Sequence, residues 1–163
     1  MKQLLVIRHA KSSWDFSILS DFDRQLNDRG HKDAPMMAQR ILDKKIAIDA
    51  FIASSAKRAF TTATYFAKAY QQTEDSIIQD PELYHASANT LFNVISSTNN
   101  EYDSIAVFSH NPGITDFANE LTDTKISDMP TCGIVAVKAI CNNWGDFRIA
   151  KKEFLFFDFP KNL

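Results

Sequence analysis

Leu4-Leu5-Val6-Ile7-Arg8-His9 is the stretch that decides how the rest is read. Four consecutive apolar residues that end abruptly in charge match a strand buried on both faces, the pattern of a parallel sheet covered by helices. Ala50-Phe51-Ile52-Ala53-Ser54 and Ile105-Ala106-Val107-Phe108-Ser109 have the same character. Each of the three is followed by apolar residues at helical spacing. Asn27 can cap a helix carrying Ala34, Met37, Ala38, Ile41 and Leu42, in which Pro35 marks either a kink or a later start. Ala59, Phe60, Ala63, Phe66, Ala67 and Tyr70 share one face of a second helix, with Ser54 or Ser55 as its cap. A third helix shows Ala88, Leu91, Phe92 and Ile95 after Ser87. A fourth shows Ile114, Phe117, Ala118 and Leu121, with Pro112 suited to its first turn. Residues 134–140 and 147–157 flank Asn142-Asn143-Trp144-Gly145-Asp146 and read as an antiparallel hairpin. The expectation is an α/β fold. It is a three-layer α/β/α sandwich with a mostly parallel central sheet and an antiparallel C-terminal hairpin, in one domain over residues 1–163.

Composition narrows the function. The chain has four glycines, Gly30, Gly113, Gly133 and Gly145, where average usage would give roughly eleven. No two are spaced to form the glycine-rich phosphate loop of a Rossmann fold or a P-loop. A phosphate here would have to be held by side chains. Net charge is −2, and the paired lysines Lys44-Lys45 and Lys151-Lys152 are too short a run for a nucleic-acid patch. Cys132 and Cys141 lack CxxC spacing and fit free thiols in a reducing compartment. The first apolar run is too short for a signal segment, and no run approaches the roughly 18 residues of a membrane span. A cytoplasmic protein with neither nucleic-acid nor membrane partners is expected.

Ligands of open α/β sheets bind beyond the carboxyl ends of the strands. After the first strand stand Arg8 and His9. After the second stand Ser54, Ser55 and, one helical turn in, Arg58; after the third stand Ser109 and His110. Two arginines and two histidines therefore converge on one edge, where helix N-termini also favour an anion. Arginine forks match phosphate oxygens. A neutral imidazole can attack phosphorus and form a covalent phosphohistidine. A second histidine, if protonated, adds charge where the transition state is most anionic. That scheme uses no metal and no cofactor. A metal site from His9, His85, His110 and nearby aspartates is the rival; its spacing matches no ligand signature, and the adjacent arginines would repel a cation. His31 falls on the polar side of its helix and is expected in solvent. His85 either lines the pocket or sits on a loop.

These residues reach a known family. Arg8-His9-Ala10-Lys11-Ser12-Ser13-Trp14-Asp15 resembles the RHGESxWN signature of the histidine phosphatase (phosphoglycerate mutase-like) superfamily. Leu26-Asn27-Asp28-Arg29-Gly30 resembles its LTxxG element. Ser54-Ser55-Ala56-Lys57-Arg58-Ala59-Phe60-Thr61-Thr62 is similar to its SxxxRxxxT element, and Val107-Phe108-Ser109-His110-Asn111 to the element with the second histidine. The four occur in the family's order. The RHA variant, the short chain and Ser20-Asp21-Phe22-Asp23-Arg24-Gln25-Leu26 look most like the SixA branch, the protein phosphohistidine phosphatases.

The resemblance implies a phosphoglycerate mutase-like fold, with His9 as nucleophile and Arg8, Arg58 and His110 binding and stabilising the phosphoryl group. Arg24 stands at that branch's RPL arginine as a substrate contact. Lys11, Ser12 and Asn111, inside the same elements, are further candidates for substrate binding. Glu82 stands where the family's proton-donating acid would fall. Three positions depart from the pattern: Ala10 for Gly, Lys11 for Glu or Gln, and Asp15 for Asn. An ionised Asp cannot donate to phosphate and would repel it, so Asp15 is expected to point away or to pair with Lys11. The connections over residues 11–23 and 80–87 leave little room for a capping subdomain. The expected partner is a phosphohistidine-bearing protein or a small phosphorylated substrate. The implied activity is removal of phosphate from phosphohistidine in proteins. The alternatives are a small-molecule phosphomonoesterase and a catalytically silent phosphate-binding adaptor.

Overall fold

The computed structural model describes residues 1–14 and 20–163. Asp15 lies outside the described residues. Six strands form one sheet: β1 (Lys2–Arg8), β2 (Ala50–Ala53), β3 (Ile78–Gln79), β4 (Ser104–Ser109), β5 (Ile134–Ala139) and β6 (Lys152–Asp158). Their order is β3-β2-β4-β1-β5-β6. The first four positions pair in parallel, and β5 and β6 add antiparallel strands. Among the described residues, four α-helices pack on it: α1 (Asp28–Asp43), α2 (Lys57–Ala69), α3 (Ala88–Ser96) and α4 (Gly113–Leu121).

Alternation along the strands assigns the helices to faces. Leu4 and Val6 of β1, with Ile52, Ile105 and Val107, pack against Leu91 and Ile95 of α3 and Ile114 and Phe117 of α4. Leu5 and Ile7, with Phe51 and Phe108, pack against Met37 and Ile41 of α1 and Phe66 of α2. The α/β/α sandwich follows, with β1 buried on both sides. Each large apolar side chain buried this way stabilises the fold by about 1.5–3 kcal/mol. Among the described residues, no helix is long and apolar enough to cross a membrane.

Local details sharpen the reading. Asn27 caps α1, its Oδ1 accepting from the Gly30 N–H at 2.9 Å. The helix begins ahead of Pro35 and runs through it. Ser87 caps α3. α2 has no side-chain cap: it starts after Ala56, and Ser54 Oγ is spent earlier, on the Ala56 N–H. The hairpin's second strand begins at Lys152, not at residue 147. Trp144 and Phe147 are instead fully buried, and the Phe147 ring lies 6.3 Å from Phe92 of α3. Core packing of two large aromatics turns that segment away from the sheet. β3 has only two residues, both exposed, so no apolar run announces it.

Candidate active site

The register places Arg8 of β1 opposite Ser109 of β4. The next residue on each strand is therefore a histidine, and the His9 and His110 rings lie 5.2 Å apart. The segment after β1 is strapped in place. Cys132 N–H donates to the carbonyls of Arg8 and His9 at 3.1 and 3.0 Å. Ala10 N–H donates to Thr62 Oγ1 at 2.9 Å, and the Thr62 hydroxyl donates to the Arg58 carbonyl at 2.7 Å. One threonine thus ties the histidine's strand to the arginine's helix. A Cβ on Gly30 would collide with the Lys11 carbonyl, so only glycine lets the first turn of α1 close on this loop.

His9 is 6% exposed. Its Nδ1 lies 2.7 Å from the Ala10 carbonyl, which can only accept, so Nδ1 carries the hydrogen and Nε2 the lone pair. Arg58 Nε–H, 3.4 Å from Nε2, agrees with that tautomer. Burial first, then the charges of Arg58, Arg8 and Arg24, lower the imidazole pKa to about 3 against the opposing Ala10 carbonyl. At neutral pH His9 is an uncharged ring with a free nitrogen electron pair.

His110 is 1% exposed and its Nε2 lies 2.8 Å from Ser54 Oγ. Its Nδ1 is buried with no hydrogen-bond partner among the described residues. Burial, then His9, Arg58 and His85, hold its pKa well below the ordinary histidine value. It is a neutral hydrogen-bonding group here; positive charge on it would need a phosphoryl dianion as counter-charge. Arg8 Nη1 donates to the Met129 carbonyl at 2.8 Å, and its buried Nε has no partner among the described residues. Arg58 Nη1 donates to the Asp21 carbonyl at 2.6 Å and Nη2 to Asp21 Oδ2 at 3.1 Å.

These residues line a cleft of about 290 Å³ together with Lys11, Ser12, Trp14, Arg24, His85, Asn111 and Thr131. Arg24 stacks 3.7 Å over the Trp14 ring and donates to Ser12 Oγ at 2.6 Å. Asn111 also borders the cleft, but its amide is held by the fold: Nδ2 donates to Asp128 and Oδ1 accepts from Thr115. Glu82 is not in the cleft. It is exposed and borders a separate hollow with Ile52, Ile78, Asp80 and Val94. His31, though exposed, bonds through Nδ1 to the Tyr65 hydroxyl at 2.7 Å.

Among the described residues, the carboxylate that does line the cleft is Asp21. Its Oδ2 accepts from Arg58, from the Tyr84 hydroxyl at 2.6 Å and from His85 Nε2 at 3.1 Å; its Oδ1 accepts from Arg24 Nε at 3.2 Å. Burial raises its pKa, but the Tyr84 hydrogen bond and the arginines outweigh that and hold it far below the usual carboxylate range. Sequence reading assigned no role to Asp21, Tyr84 or Thr62. Asp21's signal was its place three residues before Arg24. Among the described residues, no group of three His, Cys, Asp or Glu side chains is arranged to hold a metal ion. The Cys132 thiol is fully buried, and burial pushes its pKa up, away from thiolate chemistry.

Fold and site together define an α/β protein whose strand ends gather two arginines and two histidines in one cleft. Residues 4–89 match the model of the histidine phosphatase superfamily (branch 1), and the chain belongs to that superfamily. That membership makes it a phosphatase. An uncharacterized protein of Mycobacterium leprae is 27% identical over 167 residues, covering 95% of this chain and 100% of that one. An uncharacterized chloroplastic protein of Arabidopsis thaliana is 28% identical over 155 residues, covering 88% and 69%. Among solved structures, the protein histidine phosphatase SixA complexed with tungstate matches with a TM-score of 0.81 at 23% identity, covering 98% of each chain. A mycobacterial glucosyl-3-phosphoglycerate phosphatase complexed with VO3 matches with a TM-score of 0.72 at 12% identity, covering 98% of this chain and 100% of that one. The fold is therefore of SixA type, within a wider phosphatase architecture.

Proposed function

We propose that this protein removes phosphate from phosphohistidine in other proteins through a covalent phospho-His9 intermediate. The observation that carries the reading is the state of His9: buried, neutral, and presenting Nε2 because Nδ1–H is engaged by the Ala10 carbonyl. Nε2 attacks phosphorus, and the bond to the leaving group breaks with its electron pair. Arg8 and Arg58 hold the non-bridging oxygens, helped by His110 and by the N-termini of α2 and α4. Water then hydrolyses phospho-His9 to inorganic phosphate, and the electron pair returns to Nε2.

One feature favours a protein substrate. Trp14, at the mouth, is 77% exposed, so the cleft is open to a side chain displayed on another molecule. The two free cysteines are in keeping with a cytoplasmic setting. A second reading, a small-molecule phosphomonoesterase, is favoured by the cleft volume, which also suits a small phosphoester.

Rapid-quench labelling tests the intermediate: an acid-labile, alkali-stable phosphoenzyme should form in the native protein and be absent from His9→Ala. A phosphoenzyme persisting in His9→Ala would refute the nucleophile. Rates on a phosphohistidine-bearing phosphotransfer domain, set beside a panel of small phosphomonoesters, decide the substrate; faster turnover of the esters selects the second reading. Glu82→Gln should leave both kinds of rate at the native level.

A further inference from the structure

The scheme above leaves the protons unassigned. His9 is spent as nucleophile, and His110 is buried and held neutral. Glu82 borders another hollow. One more histidine lines the cleft. His85 stands at the mouth with its side chain 53% exposed, where a leaving group and bulk water can both reach it.

Its placement is over-determined. Its ring lies 4.1 Å from Tyr84 and 5.6 Å from His110. Its Nε2 is 3.1 Å from Asp21 Oδ2. That carboxylate is held ionised by the Tyr84 hydroxyl and the arginines, so it can only accept. Nε2 therefore carries the hydrogen, and Nδ1 is the nitrogen left to exchange a proton. His85 also adopts a left-handed backbone, with φ 53°. A non-glycine residue holds that conformation at a cost, and such strain gathers at functional sites. The loop bearing it is seated on the first turn of α4: a Cβ on Gly113 would overlap the Ala86 carbonyl.

We propose that His85 is the general acid and base of this reaction, with Asp21 as its positioning residue; the proposal rests on the phospho-His9 reading. In the first step, Nε2 of His9 bonds to phosphorus. The bond from phosphorus to the leaving atom breaks, and that atom, an ester oxygen or a ring nitrogen, takes the Nδ1 proton of the His85 imidazolium. In the second, water attacks phospho-His9 and gives a proton to Nδ1 of His85. The phosphorus–nitrogen bond breaks, phosphate leaves, and both histidines are restored. Among the described residues, the charged and titratable groups that share the cleft with His85 are Asp21, Arg24, Arg58, Arg8, Lys11, His9 and His110, with Tyr84 stacked beside it.

The test uses His85→Asn, because asparagine tolerates the left-handed backbone. Single-turnover phosphoenzyme formation is measured with phenyl phosphate and with p-nitrophenyl phosphate, whose leaving group needs little protonation. The expected result is a rate on phenyl phosphate that falls on the order of 10²-fold further than the rate on p-nitrophenyl phosphate. Asp21→Asn should give the same bias, smaller. It should also convert the ¹⁵N signature of His85 from a fixed Nε2–H tautomer to a mixture. Equal losses on both phosphates, or none, would overturn the proposal while leaving phospho-His9 intact. Absence of phosphoenzyme from the native protein with p-nitrophenyl phosphate would instead remove the reading beneath it.

Discussion

At the bottom of the cleft His9, Arg58 and His110 are almost wholly buried; at its mouth Lys11, Trp14 and His85 face solvent. The floor grows directly out of β1, β4 and the first turn of α2: the Ala10 carbonyl holds the His9 ring, Ser54 Oγ holds His110, and Thr62 ties the Ala10 and Arg58 backbones together. The rim comes from connections between elements. Its fixed points are side chains meeting side chains: Arg24 on Trp14, and Tyr84 and His85 on Asp21. Under the proposed mechanism, a floor built from strand ends sets the reaction for any phosphoryl compound, and a rim built from loops sets which compound arrives and where protons go.

That division can be broken by experiment. The largest effect should come from the floor: His9→Ala should lower turnover by at least about 10⁴-fold on protein and small substrates alike. Arg58→Lys keeps the charge but loses the fork, and should cost about 10²–10³-fold in kcat, again on every substrate. A loss confined to one substrate class in either variant would contradict the division.

Burial of the floor also predicts a stability profile. His9 and His110 have folded pKa values below the ordinary 6.5, so between the two values the unfolded chain binds more protons. Stability should therefore fall as pH drops from about 6.5 towards 3. Urea midpoints at pH 7 and pH 4.5 measure it, and His110→Asn should flatten the slope. An unchanged slope would mean that the floor is not the source.

Rim effects should be smaller and selective. Trp14→Ala removes the platform under Arg24, a contact worth about 0.5–1 kcal/mol, and should lower kcat/KM on a phosphoprotein by about 2–5-fold. A small phosphoester should be affected less. The smallest expected change lies away from both regions. A Cβ added at Gly145 would meet nothing within 4 Å, and its φ is not positive. Gly145→Ala should therefore raise stability by about 0.4–1 kcal/mol in chemical denaturation, with activity unchanged.

The floor was legible in the sequence because its signals are local. Leu4 to Ile7 announce a doubly buried strand that Arg8 ends, His9 and His110 directly follow β1 and β4, and Arg58 lies in the first turn of the helix after β2. The rim was less legible because its partners meet across the chain. Asp21 bonds to residues 58, 84 and 85, pairings that no short-range periodicity contains. Glu82 and His85 are three residues apart, and one tight turn over Pro81–Leu83 sends the first to another hollow while the second reaches the cleft. The hairpin's late start had a similar origin, since only the finished core shows that Phe147 has a better place than a strand.

Gly113 bears on the future of this molecule as well as its present shape. Any side chain there would push on the Ala86 carbonyl, and any at Gly30 on the Lys11 carbonyl. Both seats should therefore reject substitution in a scan for folded protein, whereas exposed Trp14 and Lys11 should keep the fold when replaced. A lineage descending from this chain could then drift in the company it keeps while inheriting its phosphorus chemistry unaltered.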